Sequence, residues 1–285
     1  MGSVATASVH ITTVSPTVVD ADRRLALAGL RELWQRRELV LFLTWRDIKV
    51  RYQQTAIGFL WAILQPALTM VIFSIVFGRF ARIPSEGVPY PVFALAGIVP
   101  WIFLSTAVTH CSNSLVTSSH LLSKIYLPRL SLPLASALST AVDFCLAFGL
   151  MLVLMLYRGV YPGPQVVLIP VFFFFAFCTA LGVGLWLSAF NVKFRDVRYA
   201  VPFLIQLWMF ATPIAYPSSL VPAKWRWIYD ANPMVGVVDG FRFALLNIAQ
   251  PSRYEILLLM LVSSALLVTG YLYFMRVERH FADVV

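Results

Sequence analysis

Charged residues are scarce in this chain of 285 residues: Asp, Glu, Lys and Arg together make up 12% of it, whereas 60% of the residues are hydrophobic. Soluble domains carry about 25% charged and about 45–50% apolar residues. With half the usual charge, the chain has too few polar side chains to cover a water-soluble body. The composition therefore predicts a protein whose solvent is mostly lipid, with its apolar segments in one membrane domain.

Motifs of catalysis and of nucleotide binding are absent too. The chain has no GxxxxGK[ST] phosphate loop, no HExxH or GxSxG sequence and no close pair of carboxylates inside an apolar run. Its three cysteines, Cys111, Cys145 and Cys178, form no CxxC pair and lie in or beside apolar runs, where buried free thiols are typical. The four histidines are scattered along the chain. We therefore expect a chain that is not an enzyme and that holds neither a metal nor a cofactor.

The surplus of basic residues gives a formal net charge of +9, which in a soluble protein would suggest nucleic-acid binding. Here the basic residues flank apolar runs, where they face anionic lipid head groups. We expect no nucleic-acid partner. Residues 1–29 are expected to form a flexible cytoplasmic tail, because residues 1–22 lack the basic and then apolar pattern of a signal peptide. The membrane domain is predicted to comprise residues 30–285.

Six apolar runs are long enough to cross a hydrocarbon core of ~30 Å, which takes about 20 helical residues. They cover approximately residues 59–77, 92–109, 130–156, 166–190, 199–216 and 256–275. Each run has to satisfy its own backbone hydrogen bonds in lipid, so the runs predict helices. The sequence thus predicts an all-α polytopic membrane protein with six transmembrane helices.

Lys and Arg are distributed unevenly between the two sides of these six spans. Fifteen of those near span ends fall on the side of the N-terminus, and seven fall on the other side. Because basic residues favour the cytoplasmic side, we expect both termini in the cytoplasm and the longest loop, residues 217–255, outside.

Two segments outside the spans have helical patterns. Residues 30–53 mix basic with apolar residues and predict an N-terminal amphipathic helix in the membrane interface. In the loop 217–255, Asn232-Pro233 is a helix-start signal. The apolar periodicity that follows it predicts a helix that folds back towards the bundle, either re-entrant or interfacial.

Two features inside the spans admit more than one interpretation. Asp143 interrupts the third apolar run, which favours a hydrogen bond to a Ser or Thr of a neighbouring helix, or a water-lined contact, over a proton relay of several members. The fifth run is short, contains Pro202 and Pro213, and is rich in aromatic and polar residues. It either lines a polar passage in which sugar rings stack on aromatic faces, or it supplies packing.

Four stretches follow one another with distinctive spacing. They are Asp47–Thr55 with Gly58–Ala62 and Gln65-Pro66; Ser123–Arg129; Phe194–Val197 with Thr212–Ile214 and Tyr216-Pro217; and Asn232-Pro233 with Gly240–Arg242. In order and spacing they resemble the ABC transporter type-2 permeases that export polysaccharides. The resemblance covers residues 30–280, and the family includes exporters of O-antigen, capsule and teichoic acid.

The resemblance implies a permease subunit in the bacterial cytoplasmic (inner) membrane. It implies a homodimer that binds two copies of a separate ATPase, in a 2:2 complex whose ATPase subunits hold the ATP and Mg. The implied substrate is a polysaccharide linked to a polyprenyl diphosphate lipid. The helices of the loop 217–255 would be the gate helices of the extracytoplasmic side.

Three groups of residues acquire candidate roles from the same resemblance. Contact with the ATPase is assigned to Arg46, Asp47, Lys49, Arg51, Leu121, Lys124, Tyr126 and Arg129. Candidates for the channel lining are Phe59, Trp61, Phe203, Gln206, Trp208, Phe210 and Tyr216. Candidates for attracting the lipid diphosphate at the cytoplasmic entrance are Arg51, Lys193 and Arg195.

Two other functions are compatible with the sequence. A permease for a drug or a small lipid would share the fold but would lack a continuous aromatic channel. A membrane-embedded sugar-lipid transferase needs catalytic carboxylates at a membrane face, and the loop 191–198 offers a single one, Asp196.

Overall fold

The computed structural model describes residues 24–53, 58–122, 127–194, 196–248 and 250–278, and in these ranges it contains helices and connecting segments but no strand. Its α-helices are α1 (Arg24–Gln35), α2 (Arg37–Gln53), α3 (Leu60–Phe80, with a π-helical end), α4 (Tyr90–Thr117), α5 (Ser119–Leu122), α6 (Ser131–Tyr157), α7 (Pro164–Lys193, beginning with a 3-10 turn), α8 (Val197–Phe210), α9 (Ala223–Asp230), α10 (Pro233–Leu246) and α11 (Arg253–Glu278). Five of them, α3, α4, α6, α7 and α11, are long and apolar enough to cross a membrane. The prediction of an all-α polytopic membrane protein is confirmed.

Helix α4 is the centre of the bundle. Its most apolar stretch of 18 residues is 78% buried, against 6% for the corresponding stretch of α3 and 17% for that of α11. It packs against α3, α6, α7, α8 and α10. Other helices therefore cover α4, while α3 and α11 leave most of their apolar surface for lipid or for another protein.

The fifth predicted span is built differently from the others. Helix α8 has 14 residues, so its length of about 21 Å is too short to cross the hydrocarbon core alone. It ends at Phe210, because Pro213 has no N–H to donate and disfavours a helical conformation at the residue before it. The chain goes on as an irregular segment, residues 211–217, and Ser219 beyond it donates a hydrogen bond to Glu86. The six-span count needs α8 and this segment to cross together and stays a prediction.

Helix α10 lies inside the bundle. It begins as the sequence predicts: the side chain of Asn232 accepts a hydrogen bond from the N–H of Met234 (3.1 Å), and Pro233 occupies the first helical position. All but one of its residues are buried, against α4, α7 and α11. The helix predicted in the long loop therefore packs back into the bundle, and its role as a gate helix stays a prediction.

The N-terminal region contains two helices where the sequence predicts one amphipathic helix over residues 30–53. The chain turns at Arg36, between α1 and α2. Each part follows a different partner, since α1 packs against α11 and α2 packs against α6. The prediction of one continuous helix is wrong because tertiary packing, which local periodicity does not record, divides the segment.

Helices α7 and α11 cross with almost no space between their backbones. A Cβ atom on Gly270 would lie 2.3 Å from the carbonyl oxygen of Gly182, and one on Gly182 would lie 2.6 Å from the backbone of Leu266. One turn away, the hydroxyl of Thr179 donates to that of Ser263 (2.9 Å). Small residues of this kind let membrane helices approach closely. Close packing matters here because the hydrophobic effect does not drive helices together within lipid.

The helix ends that are predicted to be cytoplasmic lie together. The amide of Asn191, on α7, donates to the carbonyl of Ser112 on α4 (2.8 Å). Arg129, just before α6, donates to the carbonyl of Glu278 at the end of α11. We call this the inner end of the bundle, and the opposite end, where α9 lies, the outer end.

Candidate functional site

At the inner end, a polar cleft separates α2 from the ends of α4, α5 and α6. Its volume is about 750 Å³. Its walls carry two arginines, two histidines and several hydroxyl groups; the lining residues are Arg46, Asp47, Val50, Arg51, Thr109, His110, Asn113, Ser114, Thr117, Ser118, His120, Leu121, Leu132 and Ser136. A cleft with this many donors and acceptors is suited to a polar partner segment.

The polar cleft joins the two segments that are predicted to contact the ATPase. Arg46, Asp47 and Arg51 enter it from α2, and Leu121 enters it from α5. Within the wall, the guanidinium of Arg46 donates to a carboxylate oxygen of Asp47 (Nη2–Oδ1 2.7 Å), so this pair presents little net charge. The structure thus brings four of the eight predicted contact residues to one surface.

The other four predicted contact residues lie elsewhere. Lys49 is exposed and lines a shallow groove beside Trp45 and Tyr52 rather than the polar cleft. Arg129 is engaged with the end of α11. Lys124 and Tyr126 fall outside the described residues.

Asp143 is the meeting point of α2 and α6. The guanidinium of Arg51 and the hydroxyl of Tyr52, in the last turn of α2, donate to its two carboxylate oxygens. Arg51 also donates to the hydroxyl of Ser139 (3.2 Å) and lies 3.5 Å from Nδ1 of His110 on α4. Burial, and then the bond to Asp143, raise the pKa of Tyr52, so its hydroxyl keeps the proton that it donates. A hydrogen bond between helices is present at Asp143, but its donors are Arg51 and Tyr52 rather than the predicted Ser or Thr.

A second, smaller cavity lies beyond this meeting point. Its volume is about 290 Å³, and it shares Arg51 and His110 with the polar cleft. Trp61 and Gln65 of α3 form one wall, and the remaining lining comes mainly from apolar residues of α4 and α6. Of the predicted channel residues, Trp61 is the one that lines it.

The three residues predicted to attract the diphosphate are not brought together. Arg51 is paired with Asp143, which compensates its charge. Lys193 is exposed at the end of α7, with its ammonium 5.2 Å from the ring centroid of Phe194, and it lines neither the polar cleft nor the smaller cavity. Arg195 falls outside the described residues.

The predicted channel residues of α8 divide between two faces. Phe203, Gln206 and Phe210 are exposed and are spaced at three and four residues, so they share one face. Trp208 points the other way: its indole N–H donates to Asn232 (2.9 Å) and its ring meets Trp101 edge-on. For Trp208, packing is therefore the interpretation that the contacts favour.

The remaining channel candidates have different surroundings. Phe59, just before α3, is 60% exposed, and Trp61 is 50% exposed. Tyr216 is half-buried in the irregular segment, where its hydroxyl donates to the carbonyl of Phe210 (3.1 Å). The helices that carry or adjoin these exposed aromatic residues, α3 and α8, both pack against α4.

Arg242 is a fully buried cation near the outer end. It donates to the carbonyls of Ile214 (3.0 Å) and Tyr216 (3.3 Å) in the irregular segment after α8. Its guanidinium carbon lies 3.7 Å from the ring centroid of Phe93, and Asp239, one turn earlier on α10, is 3.7 Å away. Non-helical backbone at membrane depth needs such partners, because lipid offers none.

The sequence assigns no individual role to two residues that the structure places at contacts between elements. Tyr52 lies in the stretch Asp47–Thr55 and Arg242 in the stretch Gly240–Arg242, both of which carry the family resemblance, but neither pattern indicates their partners. For Arg242, the apolar residues around it at helical spacing are a sign of burial. In the part of the chain that the structure describes, no group of three His, Cys, Asp or Glu side chains is placed to hold a metal.

Known proteins resemble the chain over most of its length. Residues 38–246 match the family model described as "ABC-2 type transporter". The O-antigen export system permease protein RfbA of Myxococcus xanthus is 32% identical over 257 residues, covering 89% of this chain and 98% of that protein. An RfbA protein of Klebsiella pneumoniae is 27% identical, with 87% and 95% covered. The polysialic acid transport protein KpsM of Escherichia coli is 25% identical, with 70% and 78% covered.

Proposed function

The chain belongs to the ABC-2 type transporter family, and we propose that it is the permease subunit of a polysaccharide exporter in the bacterial cytoplasmic membrane. Its substrate would be a polysaccharide of O-antigen, capsule or teichoic-acid type on a polyprenyl diphosphate lipid. The observation that carries the proposal is the similarity to O-antigen export permeases along 89% of the chain. The low charge and the five long apolar helices support a transport role.

A separate ATPase is proposed to power the export and to dock at the polar cleft. The chain has no phosphate-binding loop of its own. Two segments that are distant in sequence, α2 and α5, line the same polar cleft at the inner end. The ATPase subunits would hold the ATP and Mg, and both termini of the permease would lie on the same, cytoplasmic side.

The conducting unit is proposed to be a homodimer, within a 2:2 complex with the ATPase. Support comes from the exposed face of α8 that holds Phe203, Gln206 and Phe210, and from exposed Phe59 and Trp61 at the start of α3. Exposed apolar and aromatic faces are typical of lipid contacts or protein interfaces. Two copies facing each other would enclose a passage along which sugar rings stack on aromatic side chains.

The proposed function is tested by reconstituting the chain with its ATPase in liposomes that contain the lipid-linked polysaccharide. We expect the glycan to become accessible to a lectin on the far side only when both subunits and ATP are present. The purified chain alone should hydrolyse no ATP. Transport of a drug or a small lipid without the glycan would favour the alternative permease, and turnover of the sugar lipid without the ATPase would contradict the proposal.

Docking at the polar cleft predicts a loss of function on charge reversal. Asp47→Arg removes the acceptor that holds Arg46 and places an additional cation in the wall of the cleft. Because like charges at an interface cost several kcal/mol, we expect binding of the ATPase to fall by about tenfold or more. Binding of the ATPase is measured by co-purification of the two subunits. Arg158→Glu, an exposed charge reversal at the outer end of α6, serves as the control. Unchanged co-purification with Asp47→Arg would refute docking at this cleft.

A further inference from the structure

We propose that Asp143 is a positioning residue that fastens the end of α2 to α6, so that the two helices move as one unit during transport. Arg51, Tyr52 and Asp143 together are called the α2–α6 latch. The inference deepens the proposed function and rests on it: it names the contact through which movement at the docking surface would reach the first membrane-spanning helix.

The latch combines hydrogen bonds from two consecutive residues of α2. Arg51 and Tyr52 donate to different oxygens of the same carboxylate, and Ser139, one turn before Asp143 on α6, accepts a further bond from Arg51. The side chains of Arg51 and Asp143 are only 23% and 18% exposed. Charge-assisted bonds to a partly buried carboxylate are stronger than neutral ones, and they hold both helices in one orientation.

Asp143 is costly unless it is paired. A lone carboxylate at the centre of a membrane helix is unfavourable by about 2.5–3.5 kcal/mol. Apolar residues would pack α2 on α6 without this cost, as Leu43 and Leu132 do in the apolar cluster nearby. An ion pair also specifies the relative position of the two helices, because its charged groups meet at one register only. Specificity of position is the best-attested use of a buried polar pair.

The position of the latch in the chain allows it to transmit movement from the docking surface to the membrane helices. Helix α6 begins at Ser131, directly after the connection that carries Leu121, and α2 carries Arg46 and Asp47 into the polar cleft. Helix α3 begins a few residues beyond Tyr52 and has little packing of its own. A displacement of either docking segment therefore moves α2 and α6 together. The same movement is passed on to the first residues of α3. The compensated charge of Arg51 favours this role over capture of a diphosphate.

The first test separates ATP hydrolysis from export in the complete complex of permease and ATPase. Asp143→Asn keeps the size of the side chain but removes the charge that holds Arg51. We expect export per ATP hydrolysed to fall by at least about fivefold, the lower end of coupling between distant sites. ATP hydrolysis should stay close to that of the unchanged complex. Arg158→Gln, at the other end of the same helix, is the matched control and should leave both rates unchanged.

A double-mutant cycle identifies the pair. Arg51→Met and Asp143→Asn should each lower the export per ATP, and the double variant should be no worse than the more affected single variant, because both remove the same contact. The charge-exchanged variant, Arg51→Asp with Asp143→Arg, should recover part of the lost coupling. Multiplicative losses in the double variant, with no recovery on exchange, would overturn the latch.

Crosslinking asks directly whether α2 and α6 move together. In a Cys145→Ser background, which removes the exposed cysteine, Tyr52→Cys and Asp143→Cys are joined with a short bis-maleimide. The unlinked variant should be uncoupled, and the covalent link should restore export by replacing the latch. A link that blocks export would show that the helices must separate and would overturn the proposal. The crosslinking experiment also tests the latch if the complex with Asp143→Asn fails to assemble.

The outcomes keep the two proposals apart. Failure of the unchanged complex to export any glycan contradicts the proposed function. Normal export per ATP by Asp143→Asn, beside an unchanged complex that does export, contradicts the latch alone.

Discussion

Gly270→Leu is expected to abolish the folded protein. The Cβ atom alone would stand 2.3 Å from the carbonyl oxygen of Gly182 and 3.0 Å from the indole of Trp186. Backbone atoms cannot rotate away, so α7 and α11 would have to part along the most extensive helix pairing of the structure. The separation would also stretch the hydrogen bond between Thr179 and Ser263. Size-exclusion chromatography of the detergent-extracted protein should show aggregate in place of a single peak.

Alanine provides a graded version of the same test. For Gly270→Ala we expect a destabilisation of about 1–3 kcal/mol, the usual cost of overpacking, measured by thermal unfolding in mild detergent. Gly149, in the middle of α6, is the matched control, because a Cβ there meets no atom within 4 Å. Gly149→Ala should be neutral or stabilising by up to about 1 kcal/mol, as alanine is the better helix former. Equal stability of the two alanine variants would contradict the close crossing.

Arg242→Met is expected to cause the second large loss. The change removes both donors that reach the carbonyls of Ile214 and Tyr216, and it leaves Asp239 buried without its counter-charge. Breaking a buried ion pair by deleting one partner costs about 3–5 kcal/mol. We expect the thermal unfolding midpoint to fall sharply and the segment after α8 to become accessible to protease.

An ion pair whose arginine is exposed offers the control for this substitution. Arg226 contacts Glu255 across 3.3 Å, and its side chain is 45% exposed. Arg226→Met should change stability by less than about 1 kcal/mol, the usual worth of a surface ion pair. The double variant Arg242→Met with Asp239→Asn should recover part of the loss, because no unpaired charge remains. Equal effects of Arg242→Met and Arg226→Met would show that burial of Arg242 is not what matters.

The sequence predicted the helical membrane class, because charge content and the length of apolar runs can be read without knowing any contact between distant residues. It also predicted the start of α10, since an Asn cap followed by proline is a local signal. It did not predict that α4 would be buried at the centre of the bundle, or that the other helices would cover so little of α3. Both are uniformly apolar, and periodicity carries no information in a helix whose every face is apolar.

The candidate site was less accessible to prediction. Asp143 stood out as an acid within a span, but its partners Arg51 and Tyr52 lie more than ninety residues earlier, and a single sequence does not encode such pairs locally. The same limit applies to Trp208, whose contacts with Trp101 and Asn232 distinguish packing from channel lining. Local signals predict elements, whereas contacts across the bundle depend on how the elements are arranged.

The central position of α4 has a consequence for biosynthesis. Of its partners, α6 ends at Tyr157, α7 at Lys193 and α10 at Leu246, so at usual translation rates α7 and α10 emerge on the order of ten seconds after α4 has left the ribosome. During that interval α4, the most buried of the five long apolar helices, lacks the cover that α7 and α10 will give it. Its freedom from Asp, Glu, Lys and Arg is then a requirement of the nascent chain as well as of the finished protein. A charged residue introduced there would act first on membrane insertion, before α7 and α10 are present to accommodate it.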